Sequence, residues 1–264
     1  MVARFRLEQP RFQYSGAKTR SSQGLTRPKC IQHLSSTPAS VPGLLRSNLS
    51  NILPVDMLEN IISVSDVVKQ YEILSQAPLK SDDFKYRCAW RDTCISLHHR
   101  LLSFDYDSLI SPAYLSQGPD SIIVALCRIT LLIFYGNPPS IQLPFLIDTH
   151  QPSINVWRFP KTPLTDVRLF KETALLQTLF SNLDVMSLVN DFGDALLWVC
   201  FFAGFSTRGK RRVFWVNWIR YLVNSKDLTT FDNVQGILEV FLYREKVFRD
   251  VFKILWSEAV ASGT

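Results

Sequence analysis

Cys94 and His98 are the residues whose types and spacing come closest to a chemical site. They lie four positions apart in a segment with helical spacing, so both side chains share one helix face. A thiol and an imidazole in this arrangement form half of a zinc site or a nucleophile–base pair. A closed zinc site would need two more ligands, and only Cys88, Cys127 and His150, all distant, could supply them. Because Cys94 also falls on an apolar face, where a buried cysteine is the ordinary expectation, we predict no catalytic residue and no metal ligand.

Two clusters of charged residues could bind ions or charged partners. Asp105 and Asp107 are an acidic pair, but the glycine and the later bidentate acid of a calcium loop are missing, so we expect both to be solvated. Lys210, Arg211 and Arg212 form a dense basic cluster that could meet phosphate or an acidic partner. We interpret this cluster instead as a favourable placement of positive charge beside the negative end of the preceding helix.

The short motifs of the common enzyme classes are missing from the sequence. It contains no GxSxG, no GxGxxG, no Walker A loop and no HExxH. Its tryptophans and phenylalanines could line a ligand pocket, but at helical spacing such residues are more often core. We predict that the protein is not an enzyme and uses no cofactor, and we keep a small-molecule enzyme as an alternative.

Charge divides the chain into two parts. Of the net charge of +6, residues 1–50 carry +7, from eight basic residues and one acid, which leaves −1 for residues 51–264. Residues 1–50 are polar and contain few large aliphatic side chains, so we predict a disordered basic tail. This arginine- and serine-rich composition is also typical of a mitochondrial transit peptide. An organellar helical protein therefore stays open as a second alternative.

Cysteine usage and hydropathy bear on the compartment. The five cysteines are odd in number and scattered, which argues against a disulfide framework and favours a reducing compartment. The longest apolar run, residues 122–135, is interrupted by Arg128 and is shorter than the roughly 18 residues that a membrane span needs. No apolar segment lies near Met1 to act as a secretory signal. We therefore predict buried helices and no membrane contact.

Apolar residues recur at helical spacing beyond residue 50, and no stretch shows useful strand alternation. The predicted helix starts in the first part of this region are Pro54, Phe84, Asp120 and Thr165. The helix that starts at Asp120 is apolar nearly all round, which predicts a central position. Residues 137–163 hold six prolines without a period and are predicted to form a long loop. The sequence thus predicts an all-α fold, an irregular multi-helix domain of about seven to nine helices.

Residues 191–258 carry three further apolar runs without any proline, and four of the six tryptophans. Asp191, with Asp194 three residues later, predicts the amino-terminal cap of the first run. The last two runs have apolar stripes at positions i, i+3, i+4, i+7 and i+8, namely Val234, Ile237, Leu238, Phe241 and Leu242, then Phe248, Val251, Phe252, Leu255 and Trp256. We predict that the tryptophans are core anchors.

The order and spacing of these runs resemble the C-terminal part of fungal zinc-cluster (Zn2Cys6-type) transcription factors, the fungal-specific transcription factor domain. The matching segments are ALLWVCFFAGF at 195–205, RVFWVNWIRYL, VQGILEVFLYRE and the closing pair Leu255 and Trp256. Tyr243 stands where the family often has tryptophan, which is a departure. The upstream segment CAWRDTCISLHHRLLSF is compatible with the family but less specific.

This resemblance implies that residues 51–264 are the regulatory domain of a nuclear transcription factor, concerned with activation, inhibition, effector response or dimer contacts. The implied partners are the transcription machinery or another transcription factor, with self-association as a further option. The family's DNA-binding half is a six-cysteine, two-zinc cluster that opens with CxxC, whereas Cys30 is the only cysteine before Cys88. We therefore expect no direct sequence-specific DNA binding from this chain.

Overall fold

The structure, a computed structural model, describes residues 47–76, 83–136 and 164–261, and the side chains within 47–70, 92–135 and 171–261. These residues form ten α-helices and no strand, and eight of the helices are seven residues or longer. In chain order they are α1 (Leu49–Ile52), α2 (Val55–Gln76), α3 (Asp83–Leu102), α4 (Pro112–Leu115), α5 (Pro119–Gly136), α6 (Leu164–Ser181), α7 (Val185–Phe205), α8 (Gly209–Ser225), α9 (Phe231–Val240) and α10 (Glu245–Ala261). A short 3-10 helix, Asp107–Ile110, precedes α4. The predicted all-α class is confirmed.

Helix α5 lies at the centre of the fold, as its sequence predicts. Every residue from 122 to 135 is buried, and helices α2, α3, α6 and α7 all pack against it. Pro119 occupies the first helical position, where the missing N–H has no intrahelical partner to lose. A helix that is apolar around its whole circumference can be surrounded by other helices without burying a charge. Arg128 is the one charged residue of residues 122–135, and its partner is described below.

Helix α7 is the second central helix. Of the part of the chain that the structure describes, it alone has the length and apolar composition to cross a membrane, and 61% of its most apolar window is buried inside the fold. Its neighbours are α5, α6, α8, α9 and α10. Burial on this scale is what the core helix of a helical domain requires.

An aromatic cluster joins α5, α7 and α10. It consists of Phe134, Phe202, Phe248 and Phe252, and its ring centroids lie 5.0 to 5.8 Å apart. Phe202 of α7 meets both α10 rings edge to face, at interplanar angles of 74° and 83°. This geometry places ring edges against ring faces and is favourable beyond the area that it buries. The cluster therefore fixes the position of α10 on the two central helices.

Two glycines of α7 allow its neighbours to approach closely. A Cβ on Gly204 would lie 3.3 Å from Leu255 and 3.4 Å from Trp215, so a larger side chain there would push α8 or α10 away. A Cβ on Gly193 would lie 3.2 Å from the aliphatic part of Lys226, whose Nζ forms a 2.9 Å ion pair with the neighbouring residue Asp194.

The amino-terminal cap predicted for α7 is wrong. The helix begins at Val185, and the N-cap is Asp184, whose carboxylate accepts a hydrogen bond from the backbone N–H of Ser187 at 3.4 Å. Asp191 and Asp194 lie inside the helix. The reason is that helical spacing already holds upstream of Asp191, where Val185 is buried against the core, so the helix gains packing by starting earlier.

The predicted stripe of α9 is only partly helical. Val234 and Leu238 are buried in α9, but the helix ends at Val240, and Phe241 is extended at φ −100° and ψ −151°. Phe241 then stacks on Trp198 with centroids 5.6 Å apart, and Trp198 Nε1 donates to the backbone oxygen of residue 242 at 3.1 Å. These contacts with α7 end the helix, and they cannot be predicted from the spacing of apolar residues within the segment. In α10 the predicted stripe is confirmed, with Phe248, Phe252 and Leu255 fully buried and Val251 and Trp256 half-buried.

The predicted disordered tail lies outside the described residues except for residues 47–50. Leu49, which begins α1, is 1% exposed, so helical packing starts just before the predicted boundary at residue 51. The predicted loop at 137–163 also lies outside the described residues.

Candidate functional site

The tryptophans of residues 191–258 occupy the core. Trp198 and Trp215 are buried, and Trp218 and Trp256 pack half-buried against the same core. Phe180 of α6 meets Trp215 and Trp218 edge to face, with centroids 5.2 and 5.3 Å away. Their predicted role as core anchors is confirmed.

Helix α3 places Cys94 and His98 together against Tyr135 of α5. The Tyr135 hydroxyl donates a hydrogen bond to the backbone oxygen of Cys94 at 2.7 Å, and the His98 and Tyr135 ring centroids are 5.9 Å apart. Burial raises the pKa of the Cys94 thiol to about 11. The thiol is therefore protonated near neutral pH, and a thiol in that state is a poor nucleophile and a poor metal ligand. The predicted shared face of Cys94 and His98 is confirmed, and it is an apolar face that includes buried Leu97 and Leu101.

The other described thiols are similarly buried. Burial raises the pKa of Cys127 to about 12 and raises that of Cys200 well above its ordinary value. Across residues 47–70, 92–135 and 171–261, no three His, Cys, Asp or Glu side chains are grouped so as to hold a metal ion. The side chain of Cys88 and the whole of His150, the other ligands considered from the sequence, lie outside the described part.

The acidic pair lies on the surface where α3 leads into the 3-10 helix. Both side chains are exposed, and the Asp105 carboxylate accepts a hydrogen bond from the backbone N–H of Asp107 at 3.2 Å, which closes a local turn. Asp107 also forms a 3.0 Å ion pair with Lys171 of α6, in which both side chains are 69% exposed. The expectation that these acids are solvated is confirmed.

The basic cluster lies in the first turn of α8, and this position changes its interpretation. Arg208 is the N-cap residue and makes no side-chain capping hydrogen bond, and the first turn holds no acidic residue. Lys210, Arg211 and Arg212 therefore occupy the positive end of the α8 dipole, which disfavours their charge. The sequence predicted that the negative end of α7 would favour these positive charges. Because the link between the two helices is only three residues long, the cluster lies in α8, and the positive end of α8 opposes this favourable effect.

Helix α10 supplies the compensation for one of these charges. The Arg212 guanidinium donates from Nε and Nη2 to the Glu258 carboxylate at 2.9 and 2.7 Å, and these hydrogen bonds lower the pKa of Glu258. Arg220 Nε donates to the backbone oxygen of Ala259 at 2.7 Å, so two arginines of α8 hold the last turns of α10. Lys210 is exposed and forms no ion pair with another described residue, so its charge faces solvent.

Arg128 is a polar site whose partner the sequence did not reveal. Its Nη2 lies 2.9 Å from Oδ2 of Asp56 in α2, and its guanidinium carbon lies 4.0 Å from the centre of the Phe104 ring. The Arg128 side chain is 11% exposed, whereas that of Asp56 is 59% exposed. The sequence did indicate that a partner is needed, because Arg128 is a lone charge within an apolar run and a buried charge requires a counter-charge. Which acid supplies it depends on packing between residues 72 positions apart.

Among the surface depressions of the described part of the molecule, two lie on the helices that flank α8. The first follows one face of α10, from Asp250 to Ala261, and the second lies between α6 and Arg211. Both are open to solvent, and neither is lined by a tryptophan or by Cys94. The arrangement thus offers helix surfaces and charged side chains for contact.

Comparison of the chain with models of protein families, with curated proteins and with solved structures finds no match in any of the three. The resemblance to fungal zinc-cluster factors stays a prediction that rests on the residues quoted for it.

Proposed function

We propose that residues 51–264 are the regulatory domain of a transcription factor of the fungal zinc-cluster kind. In this proposal the domain works in the nucleus through contacts with proteins or a small ligand. Its partners are the transcription machinery or another transcription factor, and it has no DNA reader of its own. The chemistry is that of binding, and no residue has a catalytic role.

The proposal rests on the positions, in the structure, of the sequence segments that resemble the fungal family. Trp198, Trp215 and Leu255 come from three different quoted segments, and all three are buried in one core. Trp198 also stacks on Phe241 of a fourth quoted segment, with ring centroids 5.6 Å apart. The motif therefore specifies a packed domain, and a packed domain with this order of helices is what the resemblance implies.

A tethering assay tests the regulatory role. The full chain is fused to an unrelated DNA-binding module and directed to a reporter gene of intermediate basal activity, so that activation and repression are both measurable. We expect the fusion to change reporter output several-fold relative to the module alone. A matched fusion with an unrelated helical protein of similar size controls for bulk. An unchanged reporter from a folded, nuclear fusion would refute the regulatory role.

Location and DNA binding are tested separately. A tag at the carboxyl end should report a nuclear protein, and a mitochondrial signal with loss of the amino-terminal segment would favour the organellar alternative instead. The purified chain should bind unrelated DNA sequences equally at physiological salt. Selective binding to one sequence, together with stoichiometric zinc, would contradict the missing DNA reader.

A further inference from the structure

The described side chains of helices α2 and α3 meet the centre of the domain through polar contacts and aliphatic packing. Asp56 of α2 pairs with Arg128 of α5 at 2.9 Å, and Tyr135 of α5 donates to the backbone oxygen of Cys94 in α3 at 2.7 Å. The apolar face of α2 consists of small and medium side chains, namely Met57, Ile61, Val64, Val67 and Val68. Helices α2 and α3 are also tied to each other, since Arg100 and Ser63 share a 2.9 Å hydrogen bond. These contacts make α2 and α3 a pair that can move together.

The buried face of α2 contains an uncompensated polar atom. Asn60 is 5% exposed, and its Oδ1 has no hydrogen-bond partner. It lies one helical turn beyond Asp56, on the same face of α2. A buried amide oxygen without a partner loses its hydrogen bonds to water and gains none, which opposes the closed arrangement. The Arg128 charge depends in turn on Asp56, which is more than half exposed and therefore easily solvated.

The rest of the core is joined differently. Aromatic rings connect α5, α7 and α10 through Phe134, Phe202, Phe248 and Phe252. Of the ring contacts recorded in the described residues, none joins α2 to this cluster, and α3 contributes only the contact between His98 and Tyr135. As far as the described side chains go, movement of the first three helices would leave the aromatic cluster intact.

We propose that α1–α3 form an arm that opens from α5 as one unit while α5–α10 stay folded. Opening also breaks the exposed hydrogen bond that Asn48 Nδ2 donates to the backbone oxygen of Asp191 in α7 at 3.3 Å. The Asp56–Arg128 pair is the latch, and the unpaired amide oxygen of Asn60 lowers the free energy that opening costs. Opening uncovers Arg128 and one apolar side of α5. The domain thereby has two arrangements that a ligand or a partner can bias by binding one of them better.

This inference goes beyond the proposed function and is tested on the purified full chain without any reporter. Hydrogen exchange measured by mass spectrometry reports how often each helix opens, because the exchange rate is obtained separately for the peptides of each helix. In the unmodified chain, peptides of α2 and α3 should exchange together and at least about tenfold faster than peptides of α7 and α10. Equal exchange in all of these helices would show one cooperative unit and would overturn the proposal.

Two substitutions should move the arm in opposite directions. Asp56→Asn removes the counter-charge of Arg128 from an exposed position, and we expect exchange in α2 and α3 to rise by a further factor of about ten, with α7 unchanged. Asn60→Leu has the same number of side-chain heavy atoms and removes the unpaired amide, and it should slow exchange in the same peptides.

Asp107→Asn is the matched control, because it breaks an exposed ion pair outside the arm and should leave the exchange of α2 unchanged. Acceleration of all helices alike by Asp56→Asn would overturn the idea of a separate arm. So would an Asn60→Leu chain whose α2 exchanges faster.

Discussion

Replacing Thr130 by valine should stabilise the protein, because the change removes a buried hydroxyl that has no hydrogen-bond partner. Thr130 lies in α5, is 0% exposed, and its Oγ1 has no partner in the structure. Valine has nearly the same shape and is also β-branched, so neither the packing nor the helix propensity of the site changes much. The free energy of unfolding should therefore rise.

The size of the effect follows from the cost of burying an unpaired hydroxyl, about 1–3 kcal/mol. We expect a gain of about 1–2 kcal/mol, which corresponds to a rise in Tm of roughly 2–8 °C for a folded domain of this size. Thr207 is the matched control. It is also buried, but its Oγ1 donates to the backbone oxygen of Ala203 at 2.9 Å. Thr207→Val should lower the free energy of unfolding by about 0.5–1.5 kcal/mol.

Urea unfolding of the full chain, followed by circular dichroism and by tryptophan fluorescence, measures both variants. The m-value should be unchanged, so that the shift in midpoint reports stability alone. Opposite signs for the two threonines are the expected result. A Thr130→Val chain that is less stable by more than about 0.5 kcal/mol would refute the reasoning, because it would mean that the hydroxyl has a partner such as a buried water.

Three further predictions concern other parts of the core. Cys94, with a pKa raised to about 11 by burial, should react with iodoacetamide at pH 8 roughly a hundredfold more slowly than an ordinary thiol; mass spectrometry of the labelled peptides measures this, and urea should restore the ordinary rate. Trp198→Phe should cost roughly 1–3 kcal/mol because it removes a buried hydrogen bond, whereas Trp256→Phe should cost less, since that Nε1 has no partner; equal losses in urea unfolding would contradict the assignment. Glu258, whose pKa is lowered by its hydrogen bonds to Arg212, stabilises the fold above its ordinary pKa of 4.5, and this stabilisation is lost as pH falls through the lowered value. Glu258→Gln should therefore be less stable than the unmodified chain at pH 7, and the difference in midpoint should shrink below pH 4.5; a difference that stays constant with pH would exclude this account.

Much of the fold could be predicted because it depends on local periodicity. The burial of residues 122–135 follows from an apolar helix without a polar face, and the burial of Phe248, Phe252 and Leu255 follows from one stripe. The end of α9 could not be predicted, because a distant contact decides that boundary. Phe241 leaves the helical path because it stacks on Trp198, and no periodicity within residues 234–242 contains that information.

The candidate sites show the same division. The sequence placed Cys94 and His98 on one face, and the structure agrees, but only the packing of the helices shows that the thiol is buried and that burial raises its pKa to about 11. The basic cluster was recognised from its composition. Its position at the positive end of α8, and the pairing of Arg212 with Glu258, depend on where two helices end and how they pack.

By itself the sequence determined that this protein is all-α, that its longest apolar run is central and that the four tryptophans of residues 191–258 belong to the core. These properties follow from the 3.6-residue period and from the free energy of burying large apolar side chains, which are local to each helix. The tertiary structure alone decided which acid neutralises Arg128 and that the side-chain oxygen of Asn60 is buried without a partner. Those outcomes depend on pairs of residues far apart in the chain, and the partner of a buried charge is chosen only when the helices that carry both groups have packed.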